Sequence, residues 1–189
     1  MAALDSLLFL WINATADTPP WLLVLARWMS TDLPTLALLG ILPLAMAGRG
    51  GRRQLLGACL AMALAWLAVR GVREAVHVAR PFELGLGVQW LDHAATAGFP
   101  SFHAAVAGAW AAGLVAFARQ RWRPWLAVSG GTALVIAWSR VFLGLHFVSD
   151  IAAGLLLGAM CALVARQLMG GYGRSRRACN VGTRWWQDH

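Results

Sequence analysis

Apolar residues fill this chain in runs too long for the alternation of a half-buried strand and too continuous for the one-sided stripe of a surface helix. Five such runs, at about 33–48, 54–72, 103–118, 124–138 and 147–168, are separated by short segments that hold most of the charge. Crossing roughly 30 Å of hydrocarbon takes about 20 apolar helical residues. Several runs reach that length only if their polar flanks continue the helices, so ionisable groups are expected at the helix ends. The stretch 4–30 is apolar too, but Pro19-Pro20 breaks it and Asn13 and Asp17 lie within it. It predicts interfacial or partly inserted helices rather than a sixth span. The pattern as a whole predicts an all-α integral membrane protein, a bundle of about five transmembrane helices plus N-terminal interfacial helices. Residues 1–168 form the expected membrane domain, and 169–189 a flexible basic tail.

Composition supports lipid as the solvent. Of 189 residues, 59% are hydrophobic and 13% charged, with mean hydropathy +0.61, whereas soluble domains carry about 25% charged residues. The beginning of the chain has no basic stretch and no cleavage site of the signal-peptide kind, so its apolar segments are expected to be retained. The net charge is +8 and all 16 basic residues are arginine. They flank apolar runs instead of lining a polar face, which argues against nucleic acid as a partner. Cys59 and Cys161 lie inside apolar runs and Cys179 in the polar tail, a spacing that fits neither a disulfide framework nor a zinc site.

The arginines orient the bundle. Arg49, Arg52 and Arg53 separate the first two runs, Arg119, Arg121 and Arg123 the third and fourth, and Arg174, Arg176, Arg177 and Arg184 crowd the tail. Short basic loops stay cytoplasmic, and all three fall on one side of a five-span arrangement. The loop 73–102 and the turn 139–146 then face outward. Gly154 and Gly158 form a small-xxx-small pair suited to close helix packing. Most tryptophans sit near the predicted interfaces as an aromatic belt.

Ionisable residues at a bilayer are costly and mark function. Here they gather on the predicted outer side in three groups: Arg73 to Pro81, Pro100 to His103, and Ser139 to Asp150. Arginine offers a planar fork of donors for phosphate oxygens. Ser101 precedes an apolar helix, where its side chain can cap, and that helix N-terminus is itself suited to an anion. His146 and Asp150 are four apart and share a helix face. A carboxylate on one ring nitrogen fixes the tautomer and frees the other to attack, and His103 can act as general acid. Glu83 and Asp92 read as solvated loop acids.

These groups resemble the three-part signature of the type-2 phosphatidic acid phosphatase superfamily, K-x6-R-P, P-S-G-H and S-R-x5-H-x3-D. They read here as R-x6-R-P, P-S-F-H and S-R-x5-H-x3-D. The stretches INATADTPPW, LDHAATAGFPSFH and AWSRVFLGLHFVSD are further similar to bacterial undecaprenyl pyrophosphate phosphatases of the bacitracin-resistance type. The resemblance implies His146 as nucleophile forming a phosphohistidine, Asp150 as its orienting partner and His103 as proton donor to the leaving group. It implies a phosphate held by Arg73, Arg80, Ser101, Arg140 and the backbone N–H of Phe102. It implies no metal and no cofactor, a lipid phosphate or pyrophosphate as substrate, and a site at the periplasmic face of a bacterial cytoplasmic membrane. Arg73 stands where the family has lysine and Phe102 where it has glycine; a bulky ring therefore sits beside the site.

Other classes remain open at this level. A non-catalytic lipid-phosphate binder or carrier needs the arginines but has no use for His146 paired with Asp150. A phosphotransferase to lipid A, or a phosphatase acting on phosphatidylglycerophosphate or phosphatidic acid, would use the same groups. A metal site built from His103, His146 and Asp150 is disfavoured because neighbouring arginines repel cations.

Overall fold

The computed structural model describes the backbone of residues 2–118 and 122–184, with side chains over 3–118 and 124–170. All regular structure among the described residues is helical: α1 (Ala2–Ile12), α2 (Pro20–Thr31), α3 (Leu33–Leu39), α4 (Gly48–Ala75), α5 (Phe102–Phe117), α6 (Trp122–Phe142) and α7 (Val148–Arg184). Two 3-10 turns, Leu42–Ala45 and Pro81–Leu84, complete it. The helices of α4, α6 (from Pro124) and α7 (to Gly170) are each long and apolar enough to cross a membrane. The protein is a multi-pass membrane protein.

The first predicted span, 33–48, is not one helix. It divides into α3 and the first 3-10 turn, with Pro34 and Pro43 near the starts of the two pieces. Proline supplies no N–H to the turn before it, which limits how far either piece can extend. The stretch Leu33–Ala45 follows α2 at a 42° bend, and the two together are long and apolar enough to form one broken span or a re-entrant loop. The second half of 4–30 therefore belongs to the bundle, whereas α1, with 11 residues, is too short to cross. α7 runs past residue 168 to Arg184. Residues 185–189, Arg119 and Arg121 lie outside the described residues, as do the side chains of Arg123, Arg174, Arg176, Arg177 and Arg184.

The short helix α5 is the centre of the bundle. Its 16 residues rise only about 24 Å, and α4, α6 and α7 all pack against it. Small residues permit this. A Cβ on Gly113 would lie 2.8 Å from Ala58 Cα of α4, and one on Gly154 of α7 would lie 2.7 Å from Ser101 O at the start of α5. On Gly158 it would collide with the backbone of Ala105 and Ala109. The small-xxx-small pair of α7 thus seats α7 on α5, which carries the first turn of α7 to the N-terminus of α5. There Ser101 N–H donates to Asp150 O at 3.1 Å.

The turn between α6 and α7 is buried throughout, from Ser139 to Phe147. Buried backbone groups must find partners, and these do: Leu143 O accepts from Trp90 N–H at 3.0 Å, and Phe142 O accepts from Ala14 N–H at 3.0 Å. The cover is made by the loop 76–101 and the link between α1 and α2. Asn13 joins the two. Its Nδ2 donates to Val88 O (3.0 Å) and Phe142 O (3.1 Å), and its Oδ1 accepts Val88 N–H (2.7 Å). Gly144, at φ +80, fits beneath Val88 O where a Cβ would collide. At the far end of α1, Asp5 receives the N–H (3.0 Å) and the hydroxyl of Ser149 in the first turn of α7.

Candidate active site

The three sequence groups meet at one end of the bundle. Arg73 is in the last turn of α4, while Arg49, Arg52 and Arg53 are exposed at its beginning, on the opposite end. Arg80 comes from the covering loop, Ser101, Phe102 and His103 from the start of α5, Arg140 from the end of α6, and His146 and Asp150 from the turn into α7. Arg80, Ser101, Arg140, His146 and Asp150 are all buried, none more than 2% exposed.

The His146–Asp150 pair is built by the helix start itself. Asp150 is the third residue of α7, so its Oδ2 reaches back to accept Phe147 N–H at 2.9 Å, satisfying a donor the helix leaves free. The same oxygen lies 3.4 Å from His146 Nδ1, long for a charge-assisted bond; such contacts often tighten only when substrate binds. On the other side, Arg80 Nη1 is 3.1 Å from His146 Nε2. Guanidinium can only donate, so Nε2 carries the lone pair and Nδ1 the proton, facing Asp150. Burial first, then the charges of Arg80, Arg140 and Arg73, hold the His146 imidazole well below the usual histidine range. It is neutral at pH 7, with its free lone pair on Nε2.

Arg80 is wired differently from a free phosphate clamp. Nε donates to Thr96 O (2.8 Å), Nη1 to Leu145 O (3.1 Å) as well as His146, and Nη2 to Thr96 Oγ1 (3.2 Å) and Ala97 O (3.4 Å). All five of its N–H donors therefore have partners, and the one that an entering oxyanion can take over is the one on His146. Its pKa is lowered to about 10, by burial first and then by Arg73, with Asp150 and Glu83 opposing; it remains charged at neutral pH. Glu83 does more than sit in solvent, because its carboxylate accepts the Arg80 backbone N–H at 2.8 Å.

Two other groups are left open. Ser101 precedes α5 but makes no side-chain capping bond, contrary to the expectation from its position. Its extended backbone (φ -65, ψ 120) leaves Oγ buried without a partner. Arg140 donates through Nη1 to Ser30 Oγ at 2.6 Å, yet its Nε is buried with no partner. An unsatisfied buried polar group costs about 1–3 kcal/mol, and an anion accepting from both would remove that cost. Arg73 adds charge at the rim, with Nε and Nη2 on Pro100 O at 3.2 and 2.8 Å. Free N–H groups of the first turn of α5, among them that of Phe102, share this end. Among the described residues no group of three His, Cys, Asp or Glu side chains is arranged to hold a metal ion.

His103 and Phe102 lie side by side, ring centroids 6.0 Å apart at 81°. Both line an apolar cavity of about 180 Å³ that runs down α5 to Trp110. Three supporting residues escape a reading of the sequence. Thr96 lies within the stretch LDHAATAGFPSFH, but nothing in that stretch says that it anchors Arg80, and Ser30 anchors Arg140 from a helix 110 positions away. Asn13 gave a signal, a polar residue inside an apolar run, whose meaning only its partners disclose.

Buried arginines, a histidine–carboxylate pair and a helix N-terminus at one end of a helical bundle suit the binding of a phosphate group and its transfer to a nucleophile. The PAP2 superfamily profile matches residues 54–174, and the chain belongs to that family of phosphatases. It is 35% identical over 167 residues to the Escherichia coli (strain K12) protein named "Putative undecaprenyl-diphosphatase YbjG", an alignment covering 86% of this chain and 83% of that one. The fold is similar to that of LpxE from Aquifex aeolicus (TM-score 0.71, 22% identity, 85% of this chain and 93% of that one). It is also similar to a transmembrane PAP2-type phosphatidylglycerolphosphate phosphatase from Bacillus subtilis (TM-score 0.62, 20% identity, 90% and 86%).

Proposed function

We propose that the site hydrolyses undecaprenyl pyrophosphate to undecaprenyl phosphate through a phosphohistidine on His146, at the periplasmic face of a bacterial cytoplasmic membrane. The terminal phosphate takes Arg80 Nη1 from His146 Nε2 and occupies Ser101 Oγ, Arg140 Nε and the first-turn N–H groups of α5, with Arg73 adding charge. Nε2 attacks the terminal phosphorus and the anhydride P–O bond breaks. His103, whose pKa burial and then the Arg140 charge lower to about 3, takes up a proton as the pyrophosphate anion binds beside it and gives it to the departing oxygen of undecaprenyl phosphate, while Asp150 stabilises the His146 imidazole as it gains charge. Water then attacks the phosphohistidine, His103 takes its proton, and inorganic phosphate leaves with Nε2 restored.

The observation that carries this reading is the pair of buried donors without partners, Ser101 Oγ and Arg140 Nε, on residues at the same end of the bundle as a neutral histidine whose tautomer is set by Asp150. A simple binder would have use for the donors but not for that histidine. The apolar cavity beginning at His103 supports a lipid leaving group, and the relationship to the Escherichia coli protein supports the polyprenyl class. The orientation rests on Arg49, Arg52 and Arg53 at the end of α4 opposite Arg73.

Phosphate release from purified protein in detergent tests the activity. The panel is undecaprenyl pyrophosphate, phosphatidylglycerophosphate, phosphatidic acid and lipid A 1-phosphate. Undecaprenyl pyrophosphate should be preferred, with turnover insensitive to EDTA and inhibited by vanadate. His146→Ala should retain background turnover only. Better turnover of a glycerophospholipid, or transfer of phosphate to lipid A instead of water, would replace the assignment. A reporter fused near residue 90 that reads as cytoplasmic would overturn the orientation.

A further inference from the structure

The cavity beside His103 has a size and a chemistry of its own. Leu38 of α3, Met62 of α4, Phe102, His103 and Trp110 of α5 and Ile136 of α6 line it, so one wall belongs to the candidate site and the rest is hydrocarbon. Its volume is about 180 Å³; an apolar cavity of roughly 150 Å³ accommodates one benzene molecule. Space for about six or seven carbons follows, little more than one five-carbon isoprene unit. Leu38 is 42% exposed, which leaves the cavity a way out past α3 for a longer chain. Apart from the His103 ring, one lining residue carries a polar atom that has no partner. Trp110, 7% exposed, keeps its Nε1 buried with no partner. Trp110 lies two turns below His103 on the same face of α5, and helical side chains lean back toward the N-terminus, which brings the ring toward the cavity.

Resting on the polyprenyl reading above, we infer that this cavity is a subsite for the head of an unsaturated isoprenoid chain. It encloses the first isoprene unit and the start of the second, and leaves the remainder of the chain unread. The Trp110 N–H meets the π cloud of a chain double bond, an N–H···π contact. A saturated chain offers that donor nothing. Phe102, standing where the family has glycine, supplies the wall next to the reacting phosphate.

The test uses the whole protein in mixed micelles, with farnesyl, geranylgeranyl and undecaprenyl pyrophosphate at equal mole fraction. Their kcat/KM values should agree within about threefold, because all three fill the cavity equally. Hexahydrofarnesyl pyrophosphate should be several-fold poorer, and Trp110→Phe should abolish that difference. Val106→Phe, which fills the cavity one turn below His103, should raise KM for every polyprenyl pyrophosphate at least tenfold. Turnover of water-soluble p-nitrophenyl phosphate should stay within twofold. Ala37→Phe, at the α3 wall, serves the same purpose should Val106→Phe fail to fold. A tenfold or greater preference for undecaprenyl over farnesyl pyrophosphate would overturn the inference. So would equal use of the saturated chain, or an unchanged KM in a folded cavity-filling variant. If no polyprenyl pyrophosphate is hydrolysed while phosphatidylglycerophosphate is, the functional reading falls and the isoprenoid assignment falls with it. Hydrolysis of all three with no effect of the variants removes this inference alone.

Discussion

Replacing Asp150 by asparagine separates the two jobs of that carboxylate, because a single oxygen performs both. Oδ2 accepts Phe147 N–H at 2.9 Å and faces His146 Nδ1 at 3.4 Å. An asparagine whose carbonyl oxygen occupies the Oδ2 position keeps both contacts and the native tautomer; what it loses is the negative charge. Two full charges 4 Å apart are worth about 4 kcal/mol at an effective dielectric of 20. With about half a positive charge developed on the imidazole at the transition state, the loss is roughly 2 kcal/mol, or about thirtyfold in kcat. Asp150→Ala removes the acceptor altogether. It strands Phe147 N–H, frees the imidazole to rotate, and should cost about 10³-fold or more. The assay is initial-rate phosphate release in detergent, with thermal unfolding of each variant alongside. Asparagine should melt close to the native protein and alanine clearly lower. If asparagine is as inactive as alanine while melting normally, Oδ2 does not hold the tautomer in the way described here.

Three further outcomes follow from the supporting contacts. Ser30→Ala takes the partner from Arg140 Nη1, and one buried charge-assisted bond of about 1.5 kcal/mol predicts roughly a tenfold fall in kcat/KM; Ser30→Thr, which keeps the hydroxyl, should restore most of it. Asn13→Ala takes the side-chain partner from Val88 N–H and Val88 O, while Phe142 O keeps Ala14 N–H, and should lower unfolding stability by about 2 kcal/mol, read as a lower thermal midpoint in detergent. For His146 the folded pKa lies well below its unfolded value of about 6.5. The unfolded state therefore binds the extra proton first, so its contribution to stability is complete above about pH 6.5 and is lost as pH falls below that value. Thermal midpoints measured from pH 8 down to 4.5 should decline on the acid side, and His146→Gln should flatten part of that decline.

The candidate constellation was legible as a group because its pattern is local in sequence. His146 and Asp150 sit at a helix start where four residues make one turn, and three motifs at the ends of apolar runs all had to reach one membrane face. The supports were not legible, because each is a long-range bond from an ordinary residue. Nothing near Thr96 marks it as the anchor of Arg80, and Ser30 lies in an unremarkable apolar helix. Hydropathy likewise counted 33–48 as one span, since averaging over a window does not register what Pro34 and Pro43 do to backbone hydrogen bonds. Ser101 illustrates the opposite error: its position allowed capping, but its side chain remains open beside the candidate phosphate site.

The family match begins at residue 54, yet Arg140 leans on Ser30, the buried turn before His146 is pinned by Asn13, and the start of α7 is tied to Asp5. The border of the recognisable motif region is therefore not a border of the working machine. A chimaera joined near residue 50 would inherit every reactive group from one parent and the braces of three of them from the other. Its activity would then report how well two N-terminal segments can be exchanged, a property no motif comparison scores. Cut instead inside the loop before Pro20, the same exchange would keep Ser30 with Arg140 and separate only Asn13 and Asp5 from their partners, splitting the bracing into halves that can be traded one at a time.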